Sequence, residues 1–191
     1  MNLQQANKYT KKLFSTNWVQ WIHEGSKPAE NSIEKATNAL TGTVSKHCGK
    51  CLNLNGCCFV KEKCPDQPLH TNCHCYTIDI SQPDIKSECP IEKIRDYIFS
   101  ELKSNGKKDL FESWGYNIMD SEDLKNEIEK QAQLIYSVGD YELGKLNDYG
   151  QRISIVINLK RKNIDEYVSF VSGWMIYPNG KIILTTPYGA K

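Results

Sequence analysis

The chain lacks a long hydrophobic run. No stretch of its 191 residues approaches the roughly 18 consecutive apolar residues of a membrane span, which excludes a membrane-spanning helix. It also lacks net charge. Its 24 Lys+Arg stand against 23 Asp+Glu, a balance of +1, so no global field draws in a polyanion. There is no Walker loop, no G-x-G-x-x-G and no H-E-x-x-H, which removes the common phosphate, dinucleotide and zinc-protease motifs. Histidine is scarce, with four in all and none beyond His74. A His-based acid/base pair, or a Ser–His or Cys–His nucleophile, is therefore excluded from residues 90–191. The opening Met-Asn-Leu-Gln-Gln-Ala-Asn-Lys has neither the apolar core nor the cleavage site of a secretory leader.

Cysteine, by contrast, is abundant in one place. Seven of the eight cysteines lie between Cys48 and Cys75, and His47, His70 and His74 sit among them. Cys48 and Cys51 form a C-x2-C knuckle, and His70 and Cys73 form an H-x2-C knuckle with 18 residues between the two. A two-residue gap lets a tight turn aim both side chains at one ion. Thiolate and imidazole at this spacing predict a tetrahedral structural zinc site on Cys48, Cys51, His70 and Cys73. Cys75 can replace Cys73, and His47 or His74 can stand behind the ligands. A disulfide framework and a redox C-x-x-C are the alternatives. The first wants an exported chain, and the second wants a thioredoxin-like βαβ pattern that is not visible here. Cys57, Cys58, Cys64 and Cys89 read as small buried residues rather than a second metal site. A catalytic zinc would keep an open position and an adjacent glutamate, which the four-ligand count does not favour.

The order C-x-x-C, then Leu54-Asn55-Gly56, then Pro68-Leu-His-Thr-Asn-Cys-His-Cys75 resembles the C-terminal end of Mu-type phage minor head proteins, the MuF family. The resemblance covers residues 44–76. Thr71 stands where that family usually has proline, and His74 where it usually has arginine. The family's knuckle residues map onto Cys48, Cys51, His70 and Cys73. Some members carry C-terminal toxin domains. The resemblance implies a phage or prophage protein in the cytoplasm of a bacterial host, or associated with a virion.

Along the chain, helical spacing of Tyr9, Leu13, Phe14, Trp18, Trp21 and Ile22 predicts a helix over 3–24, ended by Gly25. A second helix is expected over 28–40, ended by Gly42. The knuckle segment follows and closes on a short strand over 76–80. Residues 81–90, with Pro83 and Pro90, read as a linker. This divides the chain into a helical, zinc-knuckle module at 1–80 and an α+β domain at 90–191, expected to unfold separately. In the second part, helices are expected over 91–104, with Leu102 on the apolar face, and over 121–138. Leu110, Phe111 and Trp114 form an apolar turn between them. From Tyr141 the period changes to two. Strands over 151–159, 167–177 and 181–186 predict an antiparallel meander within 141–186, and Asn179-Gly180 supplies a type I′ hairpin turn. The fold class is α+β, with helices on the Ile/Leu face of the meander.

The layout of 90–191 resembles in outline the small toxin nucleases of the barnase–EndoU–colicin–RelE group. The stretch Gly173–Pro187 is similar in style to C-terminal domains of bacterial polymorphic toxins. Residues 91–144 hold 7 Lys/Arg against 12 Asp/Glu, and residues 145–191 hold 7 against 3. The basic strands are therefore where an anionic partner would approach. An enzyme here would be a metal-independent ribonuclease, with Arg152, Lys160, Tyr177 and Thr185 as candidate catalytic residues. Arg152, Ser154, Asn158 and Lys160 should share the outward face. The expected partner is RNA, or alternatively a host or phage protein. One version of the latter is inhibition of a host defence protein. No membrane partner is expected, and no sequence signal sets the oligomeric state.

Overall fold

The computed structural model describes residues 3–13, 15–41, 48–101 and 105–189, so Phe14, Gly42, His47 and Leu102 lie outside the described residues. Helix α1 (Leu3–Leu13) ends well before the expected residue 24. The hydroxyls of Ser15 and Thr16 fold back onto the Lys12 carbonyl, at 3.3 and 2.7 Å, and satisfy an end that has no further helix to pair with. Residues Trp18–His23 form strand β1 instead. Aromatic and β-branched side chains alternating there suit a pleated surface better than a helix. The three- and four-residue spacing was a coincidence of a short, apolar-rich run.

Strand β1 is the middle of a three-stranded antiparallel sheet, between β2 (Cys58–Val60) and β3 (Cys75–Ile80). Trp18 lies opposite Ile80, and His23 lies opposite Cys75. Helices α2 (Ser32–Thr41) and α3 (Gly49–Leu54) connect β1 to β2. Gly49 makes their crossing possible, since a Cβ there would lie 3.0 Å from the Ala39 Cα.

The second sheet has five strands, ordered β4–β8–β7–β6–β5. These are β4 (Lys86–Glu88), β5 (Glu142–Asn147), β6 (Gly150–Lys160), β7 (Tyr167–Ile176) and β8 (Lys181–Gly189). Strands β5 to β8 are the expected meander. Asn179 and Gly180 turn the last hairpin with φ of 60° and 80°. Strand β4 falls inside the expected linker and runs parallel to β8, so the sheet is mixed rather than purely antiparallel. The expected helix over 91–104 is a single turn, α4 (Ile91–Lys93), that widens into a π-helical turn over Ile94–Ile98. The apolar turn at 110–114 is largely helix α5 (Lys107–Ser113).

Helix α6 (Ser121–Ser137) lays Leu124, Ile128, Ala132 and Ile135 onto Ile153, Ile155, Ile157 and Leu159 of β6, and all eight are buried. The same helix reaches the first sheet. The Tyr136 ring meets Trp18 edge-on at 5.6 Å, and its hydroxyl donates to the buried Cys58 carbonyl. The Asn179 N–H donates to the Gly56 carbonyl at 3.0 Å. One hydrophobic core thus runs through both sheets and across the expected boundary. The fold class is α+β, as the alternation of helical and two-residue periods predicts.

Candidate metal centre

Cys48 sits at the N-cap of α3, where its sulfur accepts the Cys51 N–H at 3.3 Å. One helical turn then brings the two sulfurs to 3.1 Å, with Cys51 buried. The H-x2-C knuckle is a turn closed by the Cys73 N–H on the His70 carbonyl, at 3.2 Å. The His70 Nδ1 lies 2.7 Å from the Thr71 carbonyl. A carbonyl only accepts, so Nδ1 carries the proton and Nε2 presents its lone pair. That Nε2 is 3.1 Å from the Cys51 sulfur. Orienting one ring nitrogen through a hydrogen bond on the other is how ligating histidines are held.

Five ligand atoms thus gather in two overlapping groups: Cys48, Cys51 and His70, and Cys51, Cys73 and Cys75. Within each group the atoms lie within 4.8 Å of one another, and Cys51 belongs to both. These groups can hold a metal ion. With zinc–sulfur bonds near 2.3 Å, the sulfurs of a tetrahedral site stand about 3.8 Å apart. The Cys51–Cys73 separation is 3.8 Å, and the Cys48–Cys51 pair would open slightly on binding. Soft thiolates plus one imidazole suit zinc, and no carboxylate joins either group among the described residues.

The electrostatics sort the cysteines. The Cys75 thiol is pushed down to about 5, first by its hydrogen bond with Cys51 and then by Trp21, Cys73 and His23. Cys51 is pushed up by the same bond to Cys75, then by burial and by Cys48. Burial pushes Cys57 and Cys58 up to about 11, and Cys64 and Cys89 up to about 12. These four stay protonated, and none joins a metal-ligating group among the described residues. His74 is exposed and outside both groups, while His47 lies outside the described residues.

The centre is anchored to the second sheet. The Asn53 side chain on α3 donates to the Lys35 and Asp148 carbonyls, at 2.8 and 2.6 Å. Lys35 is 2% exposed, donates to the Asn53 carbonyl at 2.7 Å and covers the Tyr177 ring.

The candidate catalytic residues do not converge. Arg152 and Lys160 share the outward face of β6, as the alternation predicts, but eight residues of strand place them about 26 Å apart. Lys160 is paired with Asp165 at 2.8 Å, whereas Arg152 is exposed and has no side-chain partner among the described residues. Asn158 accepts from Ser169 on the same face, at 2.6 Å. Tyr177 is buried under Lys35 at the end of β7, and the Thr185 hydroxyl donates to the Gly173 carbonyl at 2.9 Å.

No family model matches the chain, and no curated protein or solved structure shows significant similarity to it. The likeness to minor head proteins therefore rests on the knuckle residues alone.

Sequence reasoning missed Trp21 and His23, which sit beside Cys75. The His23 Nδ1 is 3.3 Å from the Cys75 sulfur. Read at period two, Trp18-Val-Gln-Trp-Ile-His sends Val19, Trp21 and His23 to one face. That pattern was the available signal.

Proposed function

We propose that the cluster holds one structural zinc ion and that the protein is a phage- or prophage-derived zinc-binding protein, related to the C-terminal region of Mu-type minor head proteins. The convergence of both knuckles on Cys51 carries this reading. Four of these five donors would fill a tetrahedral shell and leave no vacant place for a substrate or a water. This favours a structural ion over a catalytic one. The ion would fasten α3, the 61–74 loop and β3 together. That loop buries little apolar surface of its own, so metal-binding energy becomes folding energy there.

For the sheet-bearing half we infer an effector that works by binding a host or phage protein. The scatter of Arg152, Lys160, Tyr177 and Thr185 over the sheet supports binding over catalysis, because acid/base chemistry needs its groups within hydrogen-bond reach of one atom. A nucleic-acid-directed effector is the second reading. It rests on Arg152, an exposed cation with no side-chain partner among the described residues, on the strand half whose charge balance is positive. Expression of the full chain in bacteria, scored for growth arrest and RNA degradation, separates the two. RNA loss that Arg152→Ala abolishes supports the second reading. Intact RNA with a captured protein partner supports the first.

A further inference from the structure

We propose that Cys75, not Cys73, completes the site with Cys48, Cys51 and His70, and that Trp21 and His23 are positioning residues that hold its thiolate by N–H···S hydrogen bonds. This rests on the zinc reading above and names the ligand set that reading leaves open.

The two cysteines are held differently. Cys73 lies in the 70–73 turn, where its own N–H bonds the His70 carbonyl. Cys75 is the first residue of β3, and the register of the sheet sets it directly opposite His23 on the central strand. A ligand fixed by a strand ladder is preorganised, whereas a turn residue must be ordered by the metal itself.

The donors around the two sulfurs differ too. His23 is 4% exposed, and its backbone N–H is fixed on the Asn55 side chain at 2.9 Å. Its Nδ1 reaches the Cys75 sulfur at 3.3 Å. Trp21 is fully buried, and its indole N–H has no hydrogen-bond partner among the described residues. Trp21 is two residues from His23 on the same strand face, so it lies diagonally across the ladder from Cys75, within reach of a long aromatic side chain. A buried indole donor is costly to leave unpaired, and a thiol is a poor acceptor. A metal-bound thiolate is a good acceptor with lone pairs to spare, so the indole N–H gains a partner when Cys75 is a ligand, and the His23 contact to the same sulfur becomes charge-assisted. Hydrogen bonds of this kind orient metal ligands and tune the metal.

The test is cobalt(II) substitution of the full chain, reading thiolate-to-cobalt charge transfer, with zinc affinity from chelator competition. Wild type and Cys73→Ser should both show three-thiolate intensity. Cys75→Ser should lose about a third of that intensity. Trp21→Phe and His23→Gln keep every ligand, so they should retain the intensity, shift the band, and weaken zinc binding roughly 10- to 100-fold. Those two variants also decide the matter if Cys75→Ser fails to fold. Loss of intensity in Cys73→Ser, alone or together with Cys75→Ser, overturns the assignment while leaving the zinc reading standing. So do Trp21→Phe and His23→Gln variants that match the parent in both band and affinity. A wild-type protein that takes up neither cobalt nor zinc overturns the zinc reading itself.

Discussion

Lys35 is a buried ammonium with no acidic partner among the described residues. Burial pulls its pKa below the ordinary 10.5. The unfolded chain therefore binds more protons than the folded one in the window between that lowered value and 10.5. Stability should rise with pH across this window, be complete above it, and be lost as pH falls through the folded value. Lys35→Met keeps the stem and removes the charge, so the rise should vanish from its urea midpoints between pH 7 and pH 10. Parallel curves for parent and variant would show that the charge costs nothing. Arg152 presents the opposite case. It is exposed, so Arg152→Ala should change folding free energy by no more than roughly 0.5 kcal/mol while any affinity for an anionic partner falls. A chemical-denaturation curve and a salt titration of binding check the two halves of that statement. Both knuckles were legible at this scale, because ligand chemistry is written in spacing. The placement of Trp21 and His23 near Cys75 was not, because contacts across a sheet are set by tertiary register.

At the scale of elements, the sequence favoured what is long and regular. Helix α6 and strands β6 to β8 follow their apolar periods closely, and the Asn179-Gly180 turn lies where its dipeptide predicts. Strand β1 was misread because six residues rich in tryptophan satisfy a helical and a strand period at once, and only the partners β2 and β3 choose between them. Strand β4 was hidden for a related reason. Three polar residues carry no pattern, and the unpaired edge of β8 recruits them. Helix α6 makes an energetic link that can be measured. Its Tyr136 hydroxyl bonds the buried Cys58 carbonyl. Tyr136→Phe leaves that carbonyl without this donor and should cost about 1–2 kcal/mol. An unchanged urea midpoint would mean that the two sheets do not depend on this bond.

For the whole molecule, the shared core changes the expected thermodynamics. A proline-bearing linker at 81–90 predicts two independently melting modules. Trp18, Phe59, Tyr136 and Ile176 nevertheless belong to one continuous buried cluster. The metal-loaded protein should therefore unfold in one cooperative transition, and chelation should lower its midpoint rather than melt the knuckle alone. Calorimetry with and without chelator checks this. A low-temperature transition that appears only on chelation would restore the two-module picture. The most direct test of the account is the metal content of freshly purified protein, measured by elemental analysis together with a thiol count. The account predicts one zinc ion per chain and eight reduced cysteines. A protein without metal and with its cysteines paired as disulfides would contradict it.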